Sequence, residues 1–230
     1  MLAGIFLALP GLYAQTAQPG KITGKILGPD GLPLRGAVVS AHFISNSASK
    51  PAAVPLHTAT LSDGSFAIAS APPGSYRICI QTSTAATLDP CQWSSTPPTI
   101  TVGAGPISKV ASFAVEKGHP VQIHIEDPQG LLLANEGKKA GAHLLVGVWT
   151  ARGLFVPMPI ITSQVKSRDH QIYIPYDSPI TLSVYSKAFK MIGATGKDVD
   201  QRKGDSVPIQ VSTGTQTAVT GLYRVVGVNP

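Results

Sequence analysis

The stretch KITGKILGPDGLPL (Lys21–Leu34), followed by Ala37, Val39, Ala41 and Phe43 at alternate positions, reads as strand, turn and strand. Ile22, Gly24 and Ile26 share one side of an extended chain and Lys21, Thr23 and Lys25 the other, because side chains along a strand alternate faces. Gly28-Pro29-Asp30-Gly31 then reads as a turn. The same two-residue period returns in Phe66/Ile68 and in Tyr76/Ile78/Ile80, with Ser62-Asp63-Gly64 and Pro72-Pro73-Gly74 between. Short strands punctuated by Gly and Pro predict an all-β sandwich rather than a βαβ fold.

The second half repeats this grammar. Val121/Ile123/Ile125 and the turn Asp127–Gly130 match Ile22/Gly24/Ile26 and Gly28–Gly31. Leu144/Val146/Val148 stand for the Val39 strand, Ile172/Ile174 for Phe66/Ile68, and Ile180/Leu182/Val184 for Tyr76/Ile78/Ile80. Ile100–Gly103 and Ile209–Ser212 each lead to a last apolar strand, Val110–Val115 and Tyr223–Val228. The chain therefore reads as two tandem Greek-key sandwiches, at 21–117 and 118–230, after a lead-in at 1–20. The seam Glu116-Lys117-Gly118-His119-Pro120 is too short to act as a free linker, so the two units should hold a restricted angle. Helix is expected nowhere beyond a turn around Lys187–Met191. Both interiors are expected to fill with apolar side chains, leaving no room for reactive groups.

Composition agrees. Twenty Pro and 23 Gly in 230 residues disfavour a helical protein, and a hydrophobic share of 43% excludes a disordered chain. No apolar run is long enough for a bilayer span. The net charge of +6 is scattered, with Lys138-Lys139 and Arg202-Lys203 the densest pairs, so no basic stripe points to nucleic acid.

Residues 1–20 carry no charge, and Leu2–Ala14 is an apolar run of signal-peptide length with a cleavage point after Ala14. The rival reading is a buried N-terminal strand. Export to the periplasm, cell surface or medium bears on the two cysteines, Cys79 and Cys91. In an oxidising compartment such a pair closes a disulfide; in a reducing one the two are separate buried thiols.

Gly24-Lys25-Ile26, Gly31-Leu32-Pro33-Leu34, Gly36-Ala37-Val38-Val39, Asp63–Ile68 and Pro72–Ile78 together resemble the carboxypeptidase regulatory-like domain family over about residues 21–115. The resemblance implies a prealbumin-like (transthyretin-like) seven-stranded sandwich, often grouped with carbohydrate-binding-like folds, and a non-catalytic accessory role. Leu61 stands where the family often carries Asp, and the second half lacks the Gly-Ala pair and the Pro-Gly-x-Tyr corner. Gly31 and Gly64 suit turns with positive φ, and Tyr76 is expected to enter the core with its hydroxyl bonded near the rim.

Candidate chemistry is sparse. Ser47-Ala48-Ser49-Lys50 and Ser163-Gln164-Val165-Lys166 fit a Ser-x-x-Lys acyl-transfer pair, but neither lies in a helical pattern. Gly204-Asp205-Ser206 reads as a turn. The six histidines (His42, His57, His119, His124, His143, His170) show no ligand spacing and read as solvated, with His119 and His124 conceivable as a converging metal pair. Asp63 reads as a turn residue rather than a Ca2+ ligand. Trp93, beside Cys91, and Trp149, expected to face outward, are candidates for stacking on sugar rings. No catalytic set, cofactor or metal site is expected. The sequence thus leads to an exported, non-enzymatic binding, accessory or structural module of a bacterial envelope or secretome, partnered by an envelope protein or polysaccharide; the alternative is a carbohydrate-binding module.

Overall fold

A computed structural model describes residues 19–45, 55–83, 86–103, 105, 108–138, 143–193, 205–209 and 219–229. The cleavage point at Ala14 and the Ser47–Lys50 match lie outside the described residues.

The first half contains β1 (Gly20–Leu27), β2 (Val38–Ser45), β3 (Leu56–Ala59), β4 (Ser65–Ala71), β5 (Gly74–Gln81), β6 (Thr87–Leu88), the short helix α1 (Pro90–Trp93), β7 (Thr99–Val102) and β8 (Ser108–Ala114). Then come β9 (Glu116–Lys117), β10 (His119–Glu126), the short helix α2 (Leu131–Asn135), β11 (Leu145–Trp149) and β12 (Phe155–Pro157). Last are β13 (Ile160–Gln164), β14 (Ser167–Ile174), β15 (Ile180–Tyr185), β16 (Phe189–Gly193), β17 (Asp205–Ile209) and β18 (Val219–Val228).

The sheet β4-β1-β8 and the sheet β3-β2-β5-β7 form the first sandwich. The sheet β13-β14-β10-β18-β16 and the sheet β12-β11-β15-β17 form the second. Both cores keep one wiring: β1 runs antiparallel to β4 and parallel to β8, as β10 runs antiparallel to β14 and parallel to β18. The opposing sheets match as well, β3-β2-β5-β7 against β12-β11-β15-β17; the second sandwich adds β13 and β16 at its edges.

Period-two burial builds each core. Ile22, Ile26, Val39, Ile68, Tyr76, Ile78 and Ile80 meet in one apolar cluster; Val121, Ile123, Ile125, Val148, Ile174, Leu182 and Phe189 meet in another. The Tyr76 ring meets Phe43 edge-on at 5.4 Å, and its hydroxyl donates to the Pro72 carbonyl at 2.7 Å, so burial of the ring leaves no polar atom stranded. Thr60 does comparable service at the other end: its hydroxyl donates to Leu34 O at 2.6 Å and accepts from the Ala37 amide at 2.9 Å. Leu61 stands exposed in the turn that follows, whose Gly64 has φ +75° and no room for a side chain, since a Cβ there would stand 2.6 Å from Ile26 O. Asp63 there accepts from the Ser65 amide and hydroxyl, which hold its carboxyl below the ordinary range.

Three expectations are corrected. Lys187–Met191 is not a helical turn: Phe189 and Met191 are buried around exposed Lys190, and β16 pairs with β18. Two short helices form instead. In α1, Asp89 caps the first turn by accepting from the Cys91 amide, and Pro90 needs no amide there. In α2, the Asp127 carboxylate accepts from the Leu131 and Leu132 amides. The second interior is also not wholly apolar, since β14 turns Arg168 and His170 inward beside Ile172 and Ile174.

Candidate functional site

The two sandwiches meet around α1. The disulfide Cys79–Cys91 joins this helix to β5, with Cα atoms 5.1 Å apart. Asp89 adds a second anchor, accepting from the Cys91 amide at 2.8 Å and the Ile80 amide at 3.3 Å. Burial raises the Asp89 carboxyl above its usual range, although the bonds from Cys91, Ile80 and the Gln81 side chain pull the other way.

From the opposite side, the β11–β12 turn sends Arg152 across, and its Nη1 donates to Cys91 O at 3.3 Å and Ser94 O at 3.1 Å. Trp93, half-buried on α1, packs against the core of the second sandwich. At the seam, β9 pairs with β6, and the Gly118 amide donates to Ala86 O at 2.7 Å. A Cβ at Gly118 would stand 2.7 Å from Leu88 and 2.8 Å from Tyr173, so only glycine allows this approach. The seam is thus a paired segment rather than a linker.

This interlock leaves a cleft of about 400 Å3 between the sandwiches. Ile80, Val156 and Ile172 line its apolar part, and Trp93 and Tyr173 its aromatic part. Gln81, Gln92 and Gln171 bring amides, and the Gln171 amide donates to the Tyr173 hydroxyl at 3.2 Å. Thr82 and Thr87, bonded to each other, and Asp89 complete the lining. Trp93 also borders a second cavity of about 320 Å3, edged by Leu88, Pro90, Pro98, Glu116 and Pro175.

The other sequence candidates lie elsewhere. Trp149 is 43% exposed, rests against Phe155 with ring centroids 5.2 Å apart, and lines neither cavity. Ser163 sits on exposed edge strand β13 and Lys166 in the turn after it, so no helix brings them together. Gly204 lies outside the described residues, and Asp205 opens β17.

His42, His57 and His143 are exposed. His119 and His124 fall on opposite faces of β10 and do not converge: His124 Nδ1 meets Asp169 at 2.6 Å, whereas His119 is buried against Tyr176. His170 is buried too, with Nδ1 against Met158 O at 3.0 Å; burial holds its pKa below the ordinary value. Both are corrections to the solvated expectation, and alternation with Ile172 and Ile174 was the available signal for His170.

Cys79, Asp89 and Cys91 place three ligand-type atoms within 4.8 Å of one another, but both sulfurs are engaged in the disulfide and Asp89 caps α1. Sequence reading missed the cleft itself. Its walls come from residues 80–93 and 156–173, which no local pattern connects.

No protein-family model and no curated protein sequence matches the chain. Among solved structures, the chain is similar to a streptococcal ancillary pilin (10% identity, 91% of this chain and 63% of that one, TM-score 0.43). It is also similar to a minor pilin of Streptococcus agalactiae (10%, 92% and 98%, 0.42) and to the Bacillus anthracis TIE protein (12%, 91% and 34%, 0.34). The chain spans about a third of the TIE protein and under two thirds of the ancillary pilin. Likenesses of this strength carry no functional argument. No helix among the described residues is long and apolar enough to cross a membrane.

Proposed function

We propose that the chain is an exported, non-catalytic binding and accessory module of a bacterial envelope or secretome. In this reading residues 1–20 hold a cleavable leader, residues 21–117 form a carboxypeptidase regulatory-like, prealbumin-like domain, and residues 118–230 form a divergent copy of it. The shared wiring of the two sandwiches supports the duplication. The Cys79–Cys91 bond supports an oxidising compartment.

The observation that carries the binding role is the interlock at α1, where Trp93 and Arg152 fix two sandwiches around a lined cleft. The partner is an envelope protein or polysaccharide. Affinity capture from envelope extract, run beside a glycan array, tests this. Retention of one component, weakened by Trp93→Ala, is expected. A chain that retains nothing from either source, yet turns over a substrate, would overturn it.

A second reading, a carbohydrate-binding module, is favoured by one observation: the cleft surrounds Trp93 with amides and a second aromatic ring. Trp149, the other aromatic candidate, would act as an exposed ring beside Phe155, outside that cleft.

A further inference from the structure

Resting on the carbohydrate reading of the cleft, we propose that this site selects an uncharged saccharide and rejects acidic ones. The chemistry of the walls makes the selection. Trp93 and Tyr173 offer ring surface of the kind that the C–H faces of a sugar pack against. Gln92 carries an acceptor oxygen and two donor hydrogens, and Gln171 an acceptor oxygen and the one amide hydrogen not given to Tyr173, the complement of a hydroxyl that both donates and accepts.

Among the described lining residues there is no Lys, Arg or His, so nothing offsets the charge of a uronate, phosphate or sulfate brought out of water. Asp89, the carboxylate among the described lining residues, already accepts from the Cys91 and Ile80 amides, which leaves it poorly placed to recruit a cationic ligand. A volume of about 400 Å3 lies at the low end of the range for small-molecule sites, about 300–1,000 Å3, and suits a short saccharide segment. The neighbouring cavity, edged by prolines and Glu116, has no such amides and is not a second copy of the site.

Isothermal titration of the full chain against neutral and acidic oligosaccharides of matched length tests the inference. A neutral ligand is expected to bind, with acidic counterparts at least about tenfold weaker. Gln92→Ala and Gln171→Ala should each weaken it about three- to tenfold, the equivalent of one lost neutral hydrogen bond. Gln92 is exposed on α1, so its variant is expected to melt like the parent and stays informative if Trp93→Ala fails to fold.

Acidic ligands binding as tightly, neutral binding indifferent to both glutamines, or no glycan binding at all would each overturn the inference. A glycan-silent chain that captures a protein through the cleft would overturn the saccharide and leave the binding module standing. A chain that binds neither would overturn both.

Discussion

The two sandwiches share a wiring and differ in what they bury. Among the described residues, the first interior is apolar except where Thr60 ties two loops together, and Tyr76 brings its hydroxyl out to Pro72. The second takes in Arg168, His170, His119 and Asp127. Arg168 grips Glu136 through both guanidinium ends, at 3.1 and 2.6 Å, and Glu136 also receives the Leu144 amide at 3.3 Å. Among the described residues, neither His119 Nε2 nor His170 Nε2 meets a hydrogen-bond partner. One topology thus tolerates two interior chemistries, because the strand ladders satisfy the backbone in both and leave the inward positions to be filled in different ways. The consequence is that one half is pinned by a covalent bond and the other by ions.

The sharpest way to break this contrast is Arg168→Leu, which leaves Glu136 without its cation. A loss of about 3 kcal/mol is expected, near the low end for breaking a buried pair because Glu136 keeps some exposure. Denaturant unfolding followed by amide exchange should show the loss in β10–β18 while β1–β8 keep their protection. Equal loss in both halves would end the distinction.

Replacing Cys79 and Cys91 by Ala should cost about 3 kcal/mol in the chain-entropy view of a loop this short, this time in the first sandwich. The same variant frees α1 and should weaken any ligand held against Trp93, read by titration. An unchanged melting temperature with unchanged affinity would show that α1 is held by packing alone.

Acid gives the subtlest contrast. His170 has its pKa held below the ordinary 6.5 by burial, so the stability it contributes is present above that value and lost as pH falls through the lowered one. Burial alone would raise Glu136, but the Arg168 bonds and charge prevail and lower it below the usual 4.5; it too gives up stability as pH falls, in a more acidic window. In the first half Asp89 is raised by burial and gains relative stability on acidification, against the lowered Asp63 at its exposed turn. Amide exchange from pH 7 to 4 should therefore loosen the second sandwich first, with His170→Gln removing the earlier part of that loss. Simultaneous loosening of both halves would contradict it.

Most of the fold was legible because its strands bury every second residue, a local pattern that needs no knowledge of partners. Ile22/Ile26 and Val121/Ile123/Ile125 announce their cores in this way. Asp89-Pro90 was a readable helix start that the surrounding prolines obscured. Phe189 and Met191 were readable as alternation across a segment of helix-compatible composition. The polar interior was half legible: register places His170 inward, but the Glu136 partner of Arg168 comes from the α2 segment, far along the chain. The cleft was not legible at all, since Trp93 and Tyr173 approach only once the sandwiches dock.

The chain has two tryptophans, one in the cleft and one outside it, which gives a direct reading of where a ligand sits. Two indole N–H resonances, followed by nuclear magnetic resonance while a neutral oligosaccharide is added, measure this. The Trp93 signal should move to saturation while the Trp149 signal stays in place. Movement of Trp149 alone, or saturable binding that leaves Trp93 unmoved, would contradict a binding site between the sandwiches.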